Sequence, residues 1–111
     1  MLMPLSDHDF KILVTEDSEI SQAMLENLLE GAGYEVLLAS DGITGRQIAR
    51  ARKPHLIILD IEMPGENGFE TLEKLKDSPD TADIPIIFVS GMTDMDDKIH
   101  AFDLGAVDFI T

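Results

Sequence analysis

The stretch His55-Leu56-Ile57-Ile58-Leu59-Asp60-Ile61-Glu62-Met63-Pro64-Gly65-Glu66-Asn67-Gly68 decides the fold. An unbroken apolar run, Leu56 to Leu59, ends in a carboxylate, and Pro64-Gly65 marks a turn shortly after. Such a run, bounded by turn signals, suits a strand buried on both faces of a parallel sheet. Asp60 then stands at the carboxyl end of that strand, where open α/β sheets keep their binding crevices. A carboxylate there is costly unless something pairs with it. The rest of the chain is therefore read for its partners.

Upstream, Pro54 stops a helix that opens at Asp41-Gly42 and runs to about Lys53, with Thr44, Ile48 and Ala51 on one face. Tyr34–Ala39 is a β-rich run before it. Ser18 is the N-cap of an earlier helix in which Ile20, Ala23, Met24 and Leu28 follow helical spacing, ended by Gly31 or Gly33. Phe10–Thr15 is the first strand, closed by Glu16-Asp17-Ser18, and residues 1–9 read as a flexible lead-in. Downstream, Asn67 caps a helix that carries Phe69, Leu72 and Leu75 inward until Ser78-Pro79-Asp80 breaks it. Ile84 through Ser90-Gly91 is a fourth strand. Met95, Ile99 and Phe102 mark a further helix stopped by Gly105, and Val107–Thr111 begins a fifth strand. Strands alternating with helices imply right-handed crossovers and a parallel sheet covered on both faces. Periodicity leaves the strand order open.

The 111 residues suffice for one domain. With no cysteine there are no disulfides or thiolate metal sites, and a reducing, cytoplasmic compartment is expected. No apolar run approaches the roughly 18 residues that span a bilayer, and the start lacks the basic and long apolar segments of a signal peptide. The net charge of −14, from 22 acidic and 8 basic residues, argues against this segment gripping nucleic acid or an anionic membrane. It fits cations or basic partner surfaces, and most of it is a solvated acidic surface.

All carboxyl ends of a parallel sheet share one edge, so Glu16-Asp17, Asp60 and Ser90 are brought together. Converging carboxylates repel, which raises their pKa values or recruits a cation. Oxygen ligands favour a hard cation, Mg²⁺ before Ca²⁺. A carboxylate beside Mg²⁺ is a competent phosphoryl acceptor, and Ser90 could donate a hydrogen bond to a phosphoryl oxygen. Read singly, each residue has a plainer role: Asp60 as a turn or cap residue, Glu16 and Glu62 as solvated acids, Ser90 before Gly91 as a turn hydroxyl, and Met92 and Phe109 as packing. His8, His55 and His100 are scattered and take no chemistry. Gly42 and Gly45 do not form a phosphate loop, since no glycine-rich phosphate motif is present.

As a set, Glu16-Asp17, Asp60 within Leu-Asp-Ile-Glu-Met-Pro-Gly-x-Asn-Gly, Val89-Ser90-Gly91 and Gly105-Ala-Val-Asp-Phe109-Ile-Thr111 resembles a response-regulator receiver domain of two-component signalling, over residues 10–111. The resemblance implies a flavodoxin-like, doubly wound α/β fold whose five-stranded parallel sheet has the order 2-1-3-4-5, an order that general fold rules already attach to this group. It implies that Asp60 receives phosphate from a histidine kinase or phosphotransfer protein. Asp17, Asp60 and the backbone carbonyl of Glu62 would hold Mg²⁺, with Glu16 acting through water. Ser90 and Phe109 would be the switch pair, Glu62, Gly91 and Met92 would neighbour the phosphoryl site, and an output domain or downstream protein would read the change. The domain would assist only its own phosphotransfer and dephosphorylation.

The family has a lysine directly after the position of Thr111, followed by a fifth helix, and here the sequence ends first. The expectation is a fragment of a longer protein, with the last helix missing and one sheet face thinly covered. A homodimer or swapped neighbour would cover that face. Three rivals remain. A haloacid-dehalogenase-type phosphatase would need an Asp where Glu62 stands, and flavin binding would place a phosphate against Glu16-Asp17. A pseudo-receiver, binding partners without phosphorylation, is the main alternative.

Overall fold

The structure, a computed structural model, describes residues 10–89 and 95–110, without the side chains of residues 95–97 and 109. Strands and helices alternate as β1 (Lys11–Thr15), α1 (Glu19–Gly31), β2 (Glu35–Ala39), α2 (Gly42–Arg52), β3 (Leu56–Asp60), α3 (Gly68–Asp77), β4 (Ile86–Val89), α4 (Met95–Asp103) and β5 (Asp108–Ile110). The expected elements are all met. Their edges move slightly: β4 begins after Pro85, which has no N–H for a ladder, and β5 begins after Val107.

Side chains start the helices. Ser18 Oγ accepts from the Ser21 amide at 3.3 Å, and the Asp41 carboxylate accepts from the Thr44 amide at 2.7 Å. Asn67 and Glu70 form a reciprocal capping box, with bonds of 2.9 and 3.0 Å. The sequence reading named Asn67 as the cap, and the structure adds its reciprocal partner Glu70.

All pairings are parallel, and the order is β2-β1-β3-β4-β5, the flavodoxin-like doubly wound arrangement. The chain leaves β1 toward β2 on one side and returns to β3 on the other. The crevice of such a sheet lies at this reversal, outside the carboxyl ends of β1 and β3. Register brings the acids there: Thr15 pairs with Leu59 and Asp60 with Val89, so Glu16 and Asp60 are the next residues on adjacent strands.

The two faces differ. On one, Leu13, Ile57, Leu59, Ile86 and Phe88 pack with Ala49 of α2, Leu72 and Leu75 of α3 and Ala101 of α4. On the other, the buried cluster is Ile12, Val14 and Ile58, with Leu25 and Leu29 of α1 packed against it. Among the described residues this second face carries α1 alone, in keeping with the thin cover expected. No helix among the described residues is long and apolar enough to cross a membrane.

The apolar spacing located the helices better than it located their inner faces. In α1, Ile20, Met24 and Leu28 are 74%, 66% and 69% exposed, and Ala23 is also exposed. Leu25 and Leu29, one step round the helix, meet the sheet instead. In α2, Ile48 packs against the core as expected, but the buried positions are Gly42, Gly45 and Ala49, and Ala51 is exposed. Close approach is the reason: a Cβ at Gly45 would lie 2.7 Å from Thr15 Oγ1. In α4, Ile99 and Phe102 face outward and Ala101 is buried. A helix with apolar residues on adjoining faces has two ways to sit, and small residues decide where backbone must come close.

Candidate functional site

Glu16, Asp17 and Asp60 each place a carboxylate oxygen so that the three lie within 4.8 Å of one another. Glu16 is buried, Asp60 is half-buried at the end of β3, and Asp17 is exposed in the turn before α1. The turn is held from several sides. The Ser18 amide donates to Glu16 Oε1 at 3.0 Å, and the Glu16 amide donates to the Ala39 carbonyl at 3.0 Å. Gln22, on the first turns of α1, donates its side-chain amide to the Glu16 carbonyl and to Ser40 Oγ. Gln22 was not singled out by sequence reasoning, because a glutamine on a helix has no spacing signature for reaching the next strand's end.

Electrostatics follow from crowding in partly desolvated space. Burial pushes Glu16 up from 4.5 to about 7; the Ser18 amide opposes this, and Asp60 and Asp17 add to it. Asp60 is also raised, first by burial and further by the charge of Asp17. Its hydrogen bonds with Glu16 and with the backbone amides of Glu62 and Ile61 pull the other way. Both acids are thus held more readily protonated than free carboxyls when no cation is bound. A divalent cation would relieve the same repulsion, and an all-oxygen donor set suits Mg²⁺. The residues present fit such an ion.

Glu62 is exposed on the loop after β3. That loop is closed at its base by the Gly68 amide, which donates to the Ile61 carbonyl at 2.9 Å. Gly68 sits so near that a Cβ there would lie 2.3 Å from the Asp60 carbonyl oxygen. A groove of about 1060 Å³ opens beside the acids and runs along the thinly covered face, bounded by Met24, Leu28, Met63, Phe69 and Val89. Ser90, Gly91, Met92 and Thr111 lie outside the described residues, as does the side chain of Phe109; the backbone of Phe109 pairs with Phe88 in β5. The structure thus brings Glu16, Asp17 and Asp60 together and sets the Glu62 backbone next to them.

Residues 12–111 match the response regulator receiver domain family. The chain is 40% identical over 101 residues to the response regulator PleD of Caulobacter vibrioides, covering 91% of this chain and 22% of that protein. The chain therefore spans about a fifth of that relative's length. The fold matches the Vibrio cholerae chemotaxis protein CheY4 with a TM-score of 0.87 and 28% identity, over 92% of this chain and 85% of that one. It also matches the phosphorylated cyanobacterial phytochrome response regulator RcpA, with a TM-score of 0.81 and 28% identity, over 92% and 79% of the two chains.

Proposed function

The chain belongs to the response regulator receiver domain family of two-component signalling, and from that premise we propose that Asp60 accepts a phosphoryl group from a histidine kinase or phosphotransfer protein. The convergence of Glu16, Asp17 and Asp60 at the reversal point of the sheet carries this reading. A lone strand-end acid would not need two further acids beside it, at a desolvation cost that lifts Glu16 to about 7.

An oxygen of Asp60 displaces the imidazole nitrogen of the partner's phosphohistidine at phosphorus. The O–P bond forms, the N–P bond breaks, and the nitrogen keeps the electron pair. Asp17, Asp60 and the Glu62 carbonyl would hold Mg²⁺, with Glu16 in its outer sphere; the ion, when bound, neutralises charge on the transferring phosphoryl group. The Ile61 and Glu62 amides oppose the upward push that burial gives Asp60. Ser90 would follow the phosphoryl group, with Phe109 turning in response, and Gly91 and Met92 would border the site. The exposed Ile99, Phe102 and Ile110 support an apolar contact surface on α4 and β5 for an output domain or downstream protein. The groove beside α1 is where a second copy or neighbour would be accommodated. A cytoplasmic address is part of the proposal, and the chain's chemistry is confined to its own phosphotransfer and dephosphorylation.

Acid-labile phosphate incorporation from a small phosphodonor with Mg²⁺ tests the reading. Incorporation is expected in the wild type and is lost in Asp60→Asn. No incorporation in a folded wild type would leave the pseudo-receiver, a phosphorylation-independent binding module, as the better description.

A further inference from the structure

The loop that follows Asp60 has a second anchor, remote from the acids. Glu66 is buried, and its carboxylate is gripped from two helices. Arg46 of α2 makes a two-point contact, Nε to Oε2 at 2.9 Å and Nη2 to Oε1 at 2.9 Å. From α3, Lys74 Nζ lies 2.8 Å from Oε1, and Thr71 Oγ1 donates to Oε2 at 2.6 Å. The space is filled to the backbone: a Cβ on Gly42, the first residue of α2, would lie 2.1 Å from Thr71 Oγ1 and 2.8 Å from Glu66 Oε2. The pair of cations holds Glu66 down to about 2, against the upward push of its burial.

Residues 61–67 between β3 and α3 hold the amides of Ile61 and Glu62 that face Asp60. The base of this loop is closed by the Gly68 amide on the Ile61 carbonyl. Its far end is fixed by Glu66. We infer that Glu66 is a positioning residue for the phospho-acceptor loop, its contacts with Arg46, Lys74 and Thr71 setting where the backbone of Ile61 and Glu62 stands relative to the three acids. This rests on the receiver reading for its metal consequence and on geometry alone for its loop consequence. A rigid two-point arginine grip suits positioning better than a flexible lysine contact would. Removing the carboxylate leaves Arg46 and Lys74 facing each other without the charge between them.

The test is Glu66→Gln in the full chain, read by Mg²⁺ titration and by amide hydrogen exchange without metal. We expect Mg²⁺ affinity to fall about tenfold or more, as for outer-shell groups at metal sites, and exchange to quicken within residues 61–67 while the β3 amides stay protected. Arg52→Gln, which removes an ion pair with Glu35 at the opposite edge of the sheet, should move neither. Thr71→Val removes one hydrogen bond and keeps both ion pairs, so it should shift both readouts the same way by less; it also decides the matter if Glu66→Gln does not fold. Unchanged loop exchange in either folded variant overturns the inference, as does unchanged Mg²⁺ affinity in a protein whose wild type binds the ion. A wild type that binds no Mg²⁺ sinks the receiver chemistry instead, and the exchange result still decides the role of Glu66.

Discussion

The face of the sheet covered by α2, α3 and α4 and the face covered by α1 are buried to different depths. The first is closed, with Leu13, Ile57, Leu59, Ile86 and Phe88 sealed under three helices. The second has a short buried row, Ile12, Val14 and Ile58, and an open groove beside it. Both loops that build the acid site are tied to neighbouring elements, the β3–α3 loop through Glu66 and the turn after β1 through Gln22. The lesson is that the crevice is braced from both sides. Glu66 is held by Arg46 of α2 and by Lys74 and Thr71 of α3 under the closed face, and Gln22 reaches from α1 on the other. The two faces differ in depth of cover and not in support of the site.

Breaking the closed face should have the largest effect. Phe88→Ala removes a fully buried ring and is expected to cost about 3–5 kcal/mol in urea denaturation. A cost below that of a surface change would mean the closed face does not hold the fold. Gly68→Ala strikes where that face meets the site, since the new Cβ has no room beside the Asp60 carbonyl. Its expected cost is about 1–3 kcal/mol, with weaker Mg²⁺ binding; an unperturbed protein would show that α3 is free to shift.

Acid and base should separate the two carboxylate groups. Glu16 has a folded-state pKa of about 7, above its ordinary 4.5, so the folded state holds a proton that the unfolded chain has released between those values. Stability therefore falls as pH rises through that window without divalent cation, and the raised Asp60 adds to the trend. Glu66 has the opposite sign. Its value of about 2 lies below 4.5, so its contribution is complete above 4.5 and is lost as pH falls toward 2. Thermal unfolding across this range, in chelator, should give a maximum near the middle, and Mg²⁺ should restore stability on the alkaline side. A profile flat on that side would contradict the protonated Glu16. The smallest effect belongs to the open face: Met24→Gln, exposed on α1, should change stability by no more than about 0.5 kcal/mol, and a larger loss in the monomer would show that the α1 stripe is packed.

How far the site could be read from residues follows from which contacts are local. Asp60 was legible because an apolar strand ending in a carboxylate is a pattern within one element. Glu16 and Asp17 were legible because parallel strands must end together. Glu66 was not, since its partner Arg46 is 20 residues upstream and an acid in a loop reads as solvated. The exposed stripe Ile20, Met24 and Leu28 was misleading for a related reason: helical spacing describes a face, and the face that is buried is chosen by what the sheet offers.

Short-range periodicity, turn chemistry and strand polarity were enough to give the alternation of strands and helices, the capping residues Ser18 and Asn67, and the acids at one sheet edge. Resemblance added the strand order. Packing in three dimensions settled which faces of α1 and α4 turn inward, how Gln22 and Glu66 brace the two loops, and how far Glu16 is lifted by its surroundings. Those depend on distances between residues far apart in the chain, where packing space and desolvation, rather than local pattern, set the energy.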